Sequence, residues 1–243
     1  MAELPEIYIF MAESIDGKGS GDMFEIPESD SGVKYYFDYE YSFGCKSILM
    51  GRKTFEESLG ENKIDYTGIT GENIEKKDFL SEYVKKTEYY YISIDKNGKL
   101  PWKNGYGLYG EDLGRKQETH IITILSEDVN LKYLEYLQKI GVSYIFAGEK
   151  NIDLKVALKK LKKLFGIEKL LCEGGPTTNE ILLKENLVEK IIILKFPVIA
   201  QPGALPIFGE ANLSAWNLET FQMLPDKQTL LMTYIAKKDS PKP

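Results

Sequence analysis

Short apolar runs alternate with amphipathic stretches along most of this chain, and that alternation constrains the fold more than any other feature. Residues 7–11, 47–50, 88–94, 120–125, 143–146, 169–172 and 191–196 read as buried strands. Segments 33–43, 52–59, 131–140, 154–165 and a helix containing 180–183 carry helical spacing. Strand and helix in alternation predict parallel pairing, because each parallel connection must cross over a sheet face. The tail departs from this. Segments 218–224 and 229–235 are strand-like and joined by Pro225-Asp226-Lys227-Gln228, which predicts an antiparallel hairpin at the sheet edge. Segment 60–75 mixes Gly, Asn and Thr without a period and reads as a long loop near the surface. No repeat or linker interrupts residues 1–243, so a single domain is expected, with a frayed tail from about 237.

A chain of 243 residues with 43% hydrophobic and 28% charged residues can bury a full core. Its net charge of -6 gives no basic field for nucleic acid. The first residues lack a signal-peptide pattern and no run approaches the roughly 18 apolar residues of a membrane span, so a cytoplasmic, membrane-free protein is expected. Cys45 and Cys172 lie far apart in apolar segments, as reduced, buried thiols would. One histidine, His120, excludes histidine-rich metal sites and relays, and its strand-like setting suits a packing role; no metal is expected. Acid–base chemistry would then fall to carboxylates, Tyr or water.

Three strand ends carry the candidate chemistry. After 169–172 come Glu173-Gly174-Gly175-Pro176-Thr177-Thr178-Asn179-Glu180, where paired glycines let backbone amides approach an anion and Pro176 suits a first helical turn. Taken alone, such a pair is as well read as an ordinary strand-to-helix turn. After 47–50, Gly51-Arg52-Lys53-Thr54-Phe55 repeats the arrangement, with a possible hydroxyl cap and two cations suited to a 2′-phosphate. If both strands are parallel, both turns should face one crevice at the carboxyl ends. After 7–11, Ser14-Ile15-Asp16-Gly17-Lys18 offers a hydroxyl and a carboxylate, or simply an Asp-Gly turn.

Together these segments resemble the reductase domain of the riboflavin-biosynthesis deaminase-reductase, within the dihydrofolate reductase-like superfamily. Leu187-Val188-Glu189-Lys190, Phe196-Pro197-Val198-Ile199 and Leu205-Pro206-Ile207-Phe208-Gly209 extend the similarity over nearly the whole chain. The resemblance implies an α/β fold of dihydrofolate reductase-like type: three layers, αβα, with a mostly parallel central sheet and the C-terminal antiparallel hairpin. It also implies NADPH as cofactor and a homodimer, though no stretch identifies an interface. Carried over residue by residue, Gly51, Arg52, Thr54, Gly174, Gly175, Pro176, Thr177, Thr178, Asn179 and Glu180 would contact the cofactor. Ser14, Asp16 and Glu173 would face the substrate, with Asp16 and Glu173 as the catalytic carboxylates.

Two family features that hold a sugar phosphate are missing. Ser42-Phe43-Gly44-Cys45-Lys46 has no arginine before the second strand, and Phe55-Glu56-Glu57-Ser58-Leu59 has neither the proline of the family's Asp-Asp-Pro run nor the arginine of its downstream Leu-Thr-x-Arg. Each missing charge-assisted contact is worth roughly 1.5 to 3 kcal/mol. Hydride transfer to a C=N or C=O group is therefore expected, as in 5-amino-6-(5-phosphoribosylamino)uracil reductase but on a different small molecule. The tyrosines Tyr35, Tyr36, Tyr39 and Tyr41 reshape the pocket for a flatter molecule or pack in the core. The alternatives are dihydrofolate reductase activity and a non-catalytic dinucleotide-binding protein.

Overall fold

The computed structural model describes residues 3–60, 63–109 and 115–237. In chain order the strands are β1 (Glu6–Glu13), β2 (Ser47–Gly51), β3 (Tyr90–Ile94), β4 (Tyr106–Leu108), β5 (Glu118–Leu125), β6 (Ser143–Phe146), β7 (Lys169–Cys172), β8 (Lys190–Lys195), β9 (Trp216–Met223) and β10 (Leu230–Ala236). The helices are α1 (Asp30–Tyr39), α2 (Arg52–Leu59), α3 (Leu131–Lys139), α4 (Leu154–Phe165) and α5 (Pro176–Lys184). Each expected element is present. Helix α1 begins and ends earlier than its apolar pattern suggested, because a 3-10 turn at Pro27–Ser29 leads into it. Strand β4 was not foreseen: Tyr106-Gly107-Leu108 is short and has no buried face. The tail expected to fray lies, except for Lys237, outside the described residues.

The chain divides into two compact units, one built on Lys46–Glu168 with the residues up to Pro5, the other on Glu6–Cys45 and the chain from Lys169. In the first unit β2, β3 and β5 run parallel, with Gly51 opposite Ile94 and Ile94 opposite Ile124. The other edge of β5 is shared: antiparallel β4 pairs with residues 118–120 and parallel β6 with residues 122–125. Consecutive strand residues point to opposite faces. Phe165 of α4 accordingly meets Tyr90 edge-on at 6.0 Å between centroids, while Phe55 of α2 meets Tyr91. Helices on both faces explain why these strands read as near-continuous apolar runs.

His120, buried on β5, fastens this unit. Its Nδ1 lies 2.5 Å from Gly105 O and its Nε2 2.7 Å from Ser143 Oγ, so one ring joins β5 to the approach of β4 and to β6. Burial lowers its pKa to about 4 and keeps it neutral. The cross-strand role expected of it is what its contacts describe.

In the second unit β7, β1 and β8 are parallel, with Ile9 opposite both Cys172 and Ile191. The tail adds β10 antiparallel to β8 and β9 antiparallel to β10, the expected hairpin. Alternation again serves two helices. Tyr36 of α1 stacks on Phe10 with centroids 4.4 Å apart, so this ring is packed against the core. On the opposite face Cys172 Sγ donates to Asn179 Oδ1 of α5. Cys45 and Cys172 are both free and buried, and burial pushes both thiols up to about 12. Among the described residues no helix is long and apolar enough to cross a membrane, and no group of three or more His, Cys, Asp or Glu is placed to hold a metal ion.

Candidate active site

Parallel strands deliver their carboxyl ends to one edge of a sheet, and helix starts placed there present backbone N–H groups. In the first unit β2 hands over to α2 at Gly51, whose extended backbone caps the helix without any side-chain hydrogen bond. Helices α3 and α4, by contrast, are capped by Asn130 and Asp153. The possible hydroxyl cap is thereby corrected: Thr54 is the third residue inside the helix, too far along to accept from its first amides. The Arg52 guanidinium is drawn along the helix into an ion pair with Glu56, whereas Lys53 is exposed.

The next strand end holds a carboxylate that had not been singled out. Asp95 is fully buried, and its Oδ2 accepts from the Lys99 and Leu100 amides at 2.6 and 2.8 Å and from the Tyr133 hydroxyl at 3.1 Å. Burial raises its pKa, while those bonds and Arg52 act in the opposite direction. Its signal in the sequence was Asp95-Lys96-Asn97-Gly98 directly after an apolar strand, which reads equally as a plain turn.

In the second unit β7 runs into the glycine turn. Glu173 is buried at the strand end. Gly174 has φ +82°, and a Cβ there would stand 3.1 Å from Met11 Sδ and 3.4 Å from Asn179 Nδ2. The positive φ favours glycine, and a Cβ would need Met11 to shift by a few tenths of an ångström. The Gly174–Gly175 peptide is cis. Gly175 caps α5 without a side-chain bond, and Pro176 takes the first helical turn as expected.

The remaining expected cofactor contacts separate by burial. Thr177 is exposed, while Thr178 and Asn179 are buried. The Asn179 amide donates to Ile207 O at 2.8 Å. Glu180 pairs with Lys184 at 2.5 Å and accepts from the Glu210 amide at 3.1 Å. The side chains of Asn179 and Glu180 thus hold the segment around 207–210. Gly174, Gly175, Pro176 and Thr177 form the helix start proper.

The end of β1 is a self-contained turn. Ser14 Oγ donates to Asp16 Oδ1 at 2.6 Å and accepts from the Lys18 amide at 3.0 Å, and the Ala200 amide donates to the same Asp16 oxygen at 3.0 Å. These bonds, that of Ser14 foremost, hold the exposed Asp16 carboxyl below its ordinary range. Such a group is ionised at neutral pH and carries no proton to donate. Since Cys172 lies opposite Ile9, β1 continues three residues beyond the level of Glu173, and Ser14, the fourth, sits about 13 Å farther along the strand direction. The register therefore does not set the two carboxylates side by side. Between them, Glu13 and Lys195 form a largely buried ion pair at 2.8 Å, invisible in a sequence where they stand far apart.

A family model described as the RibD C-terminal domain matches residues 5–230. The chain belongs to that family. Among solved structures, it is similar to a pyrimidine reductase-like protein from Corynebacterium diphtheriae, with TM-score 0.61 and 17% identity over 97% of this chain and 93% of that one. It is likewise similar to the Saccharomyces cerevisiae riboflavin biosynthesis reductase Rib7, with TM-score 0.58 and 17% identity over 98% and 92%. At these identities the likeness establishes the fold. Among curated proteins it is 25% identical over 171 residues to the uncharacterised Escherichia coli K12 protein YfjW, covering 65% of this chain. The match spans only 30% of that relative's length.

Membership in the RibD C-terminal family makes this a reductase-like domain. Each glycine turn, taken by itself, offers helix N–H groups of the kind that bind a phosphate. Both start helices without side-chain caps, and at Gly174 any side chain would fill the space over Met11. Helix α1 also lacks a side-chain cap, but there the Ser29 hydroxyl is turned to Met23 O.

Proposed function

We propose that this chain is an NADPH-dependent reductase that delivers a hydride to a C=N or C=O carbon of a small molecule. The observation carrying this reading is the Glu173-Gly174-Gly175-Pro176 strand-to-helix turn, uncapped and bent through a backbone angle that favours glycine, in a RibD C-terminal domain. Bound NADPH supplies the hydride. The chain's own residues bind, orient and exclude water. Amides at Gly175 and Thr177, and those following Gly51, bind phosphate oxygens through the helix N-termini. Arg52 exchanges Glu56 for a 2′-phosphate. Glu173, buried at the end of β7, accepts a hydrogen bond from the substrate and fixes the group being reduced. Asp16 braces its loop through Ser14 and Ala200 rather than moving a proton.

The substrate differs from the phosphoribosylated pyrimidines of the riboflavin reductases, because the arginines that would hold the sugar phosphate are missing from segments 42–46 and 55–59. The test is an absorbance assay of NADPH oxidation against carbonyl and imine compounds, with a phosphoribosylaminopyrimidine included. Turnover is expected with an uncharged compound and not with the sugar phosphate. NADPH binding without turnover on any substrate would favour the non-catalytic reading, and failure to bind NADPH or NADH would remove the proposal.

A further inference from the structure

Asp95 is a buried carboxylate that the proposed chemistry leaves without a use, and register fixes its place in the first unit. Its amide donates to Ile124 O at 3.1 Å, so the ladder of β3 runs one residue past Ile94. Strand alternation then puts Asp95 on the face of Tyr91, the face that packs against Phe55 of α2. Gly51 lies opposite Ile94, so the next residues along the two strands are Asp95 and Arg52, the first residue of that helix. From there the Arg52 guanidinium acts on the Asp95 carboxyl and favours its ionised form.

The bonding of this carboxylate is lopsided. The Lys99 and Leu100 amides and the Tyr133 hydroxyl all donate to one oxygen, Oδ2. Among the described residues no donor reaches the other, Oδ1, although it is shut off from solvent. A buried oxygen with neither a donor nor water to offset its charge acts at full strength on whatever stands nearby. Glu56, the ion-pair partner of Arg52, is different: its side chain is 38% exposed, open to screening and able to turn away. Asp95 is held in place by three bonds and cannot.

Around the start of α2, two cations, Arg52 and Lys53, are thus matched by two carboxylates, Glu56 and Asp95. A phosphate monoester carries about -1.5 to -2 charges at neutral pH and gains little from so balanced a site. A ribose hydroxyl in the same place is indifferent to the balance.

We infer that Asp95 sets how strongly the chain prefers NADPH over NADH, its fixed negative charge opposing a 2′-phosphate at the start of α2 while leaving the hydroxyl of NADH unaffected. The inference rests on the reading of Gly51 to Thr54 as the turn that meets the 2′-phosphate. Asp95 is a specificity residue that acts through Arg52 and needs no contact with the coenzyme.

Fluorescence titration of the full chain with NADPH and with NADH tests this, comparing wild type with Asp95→Asn. The Asn oxygen keeps the three bonds made at Oδ2, and its amide group takes the position that no donor faces, so charge is removed and packing kept. Asp95→Asn should bind NADPH at least about tenfold more tightly, and NADH within about twofold of wild type. Arg52→Gln gives a reading that does not need the Asp95 variant to fold: with Asp95 no longer opposed, NADH should bind more tightly than NADPH. An unmoved preference in Asp95→Asn, or equal weakening of both coenzymes, overturns the assignment. So does an Arg52→Gln chain that binds NADPH as tightly as NADH or more so. If wild type binds neither coenzyme, the reductase reading falls and this inference with it, whereas binding of both with an unmoved preference removes this inference alone.

Discussion

Asp16 and His120 show how local bonding decides what a titratable residue can do. Asp16 accepts from Ser14 and Ala200, and these bonds hold its carboxyl below its ordinary range. Asn at this position keeps the acceptor oxygen, so Asp16→Asn should retain NADPH affinity and at least about half the turnover, whereas Asp16→Ala should lose several-fold in both. Initial rates with a fluorescence titration of NADPH check this, and a loss of a hundredfold in turnover for the Asn variant would make Asp16 catalytic. His120 titrates near 6.5 unfolded and about 4 folded. The unfolded chain therefore binds the extra proton first as pH falls. The contribution is whole above 6.5 and lost toward 4, amounting to about 2 kcal/mol between pH 7 and pH 5. Urea unfolding at the two pH values should show that loss in wild type and a smaller one in His120→Gln.

Among the elements, the strand-to-helix turns matter most. Gly174→Ala places a Cβ against Met11 Sδ at a backbone angle that L residues rarely adopt, so it should cost about 1 to 3 kcal/mol. It should also weaken NADPH binding at least tenfold. Thermal melts and a nucleotide titration measure the two effects, and an unchanged affinity in a folded Gly174→Ala would detach the turn from the cofactor. The sequence made these turns legible because apolar period and glycine position are local properties: β2, α2, β6, α4 and β7 lie within a residue of where spacing puts them. What stayed hidden was long-range or merely permissive. The Glu13–Lys195 pair and the bond from Asn179 to Ile207 depend on register between distant strands and segments. Thr54 resembled a cap only because a helix start is not fixed to one residue by composition. Asp95 looked like any Asp before a turn until its burial was known. The register shift that β9 makes against β10 between Thr233 and Tyr234 left no mark in its composition at all.

At the scale of the molecule, both units put parallel strands beneath uncapped, glycine-started helices, and the RibD C-terminal family supplies the reading that these starts hold a nicotinamide coenzyme. Hydrogen exchange by mass spectrometry, with and without saturating NADPH, tests that reading most directly because it reports on backbone amides themselves. The account predicts new protection in peptides covering residues 51–55 and 173–180 together, with NADH protecting the first of them less. Unchanged exchange in both segments when NADPH is present, or protection confined to other parts of the chain, would contradict it.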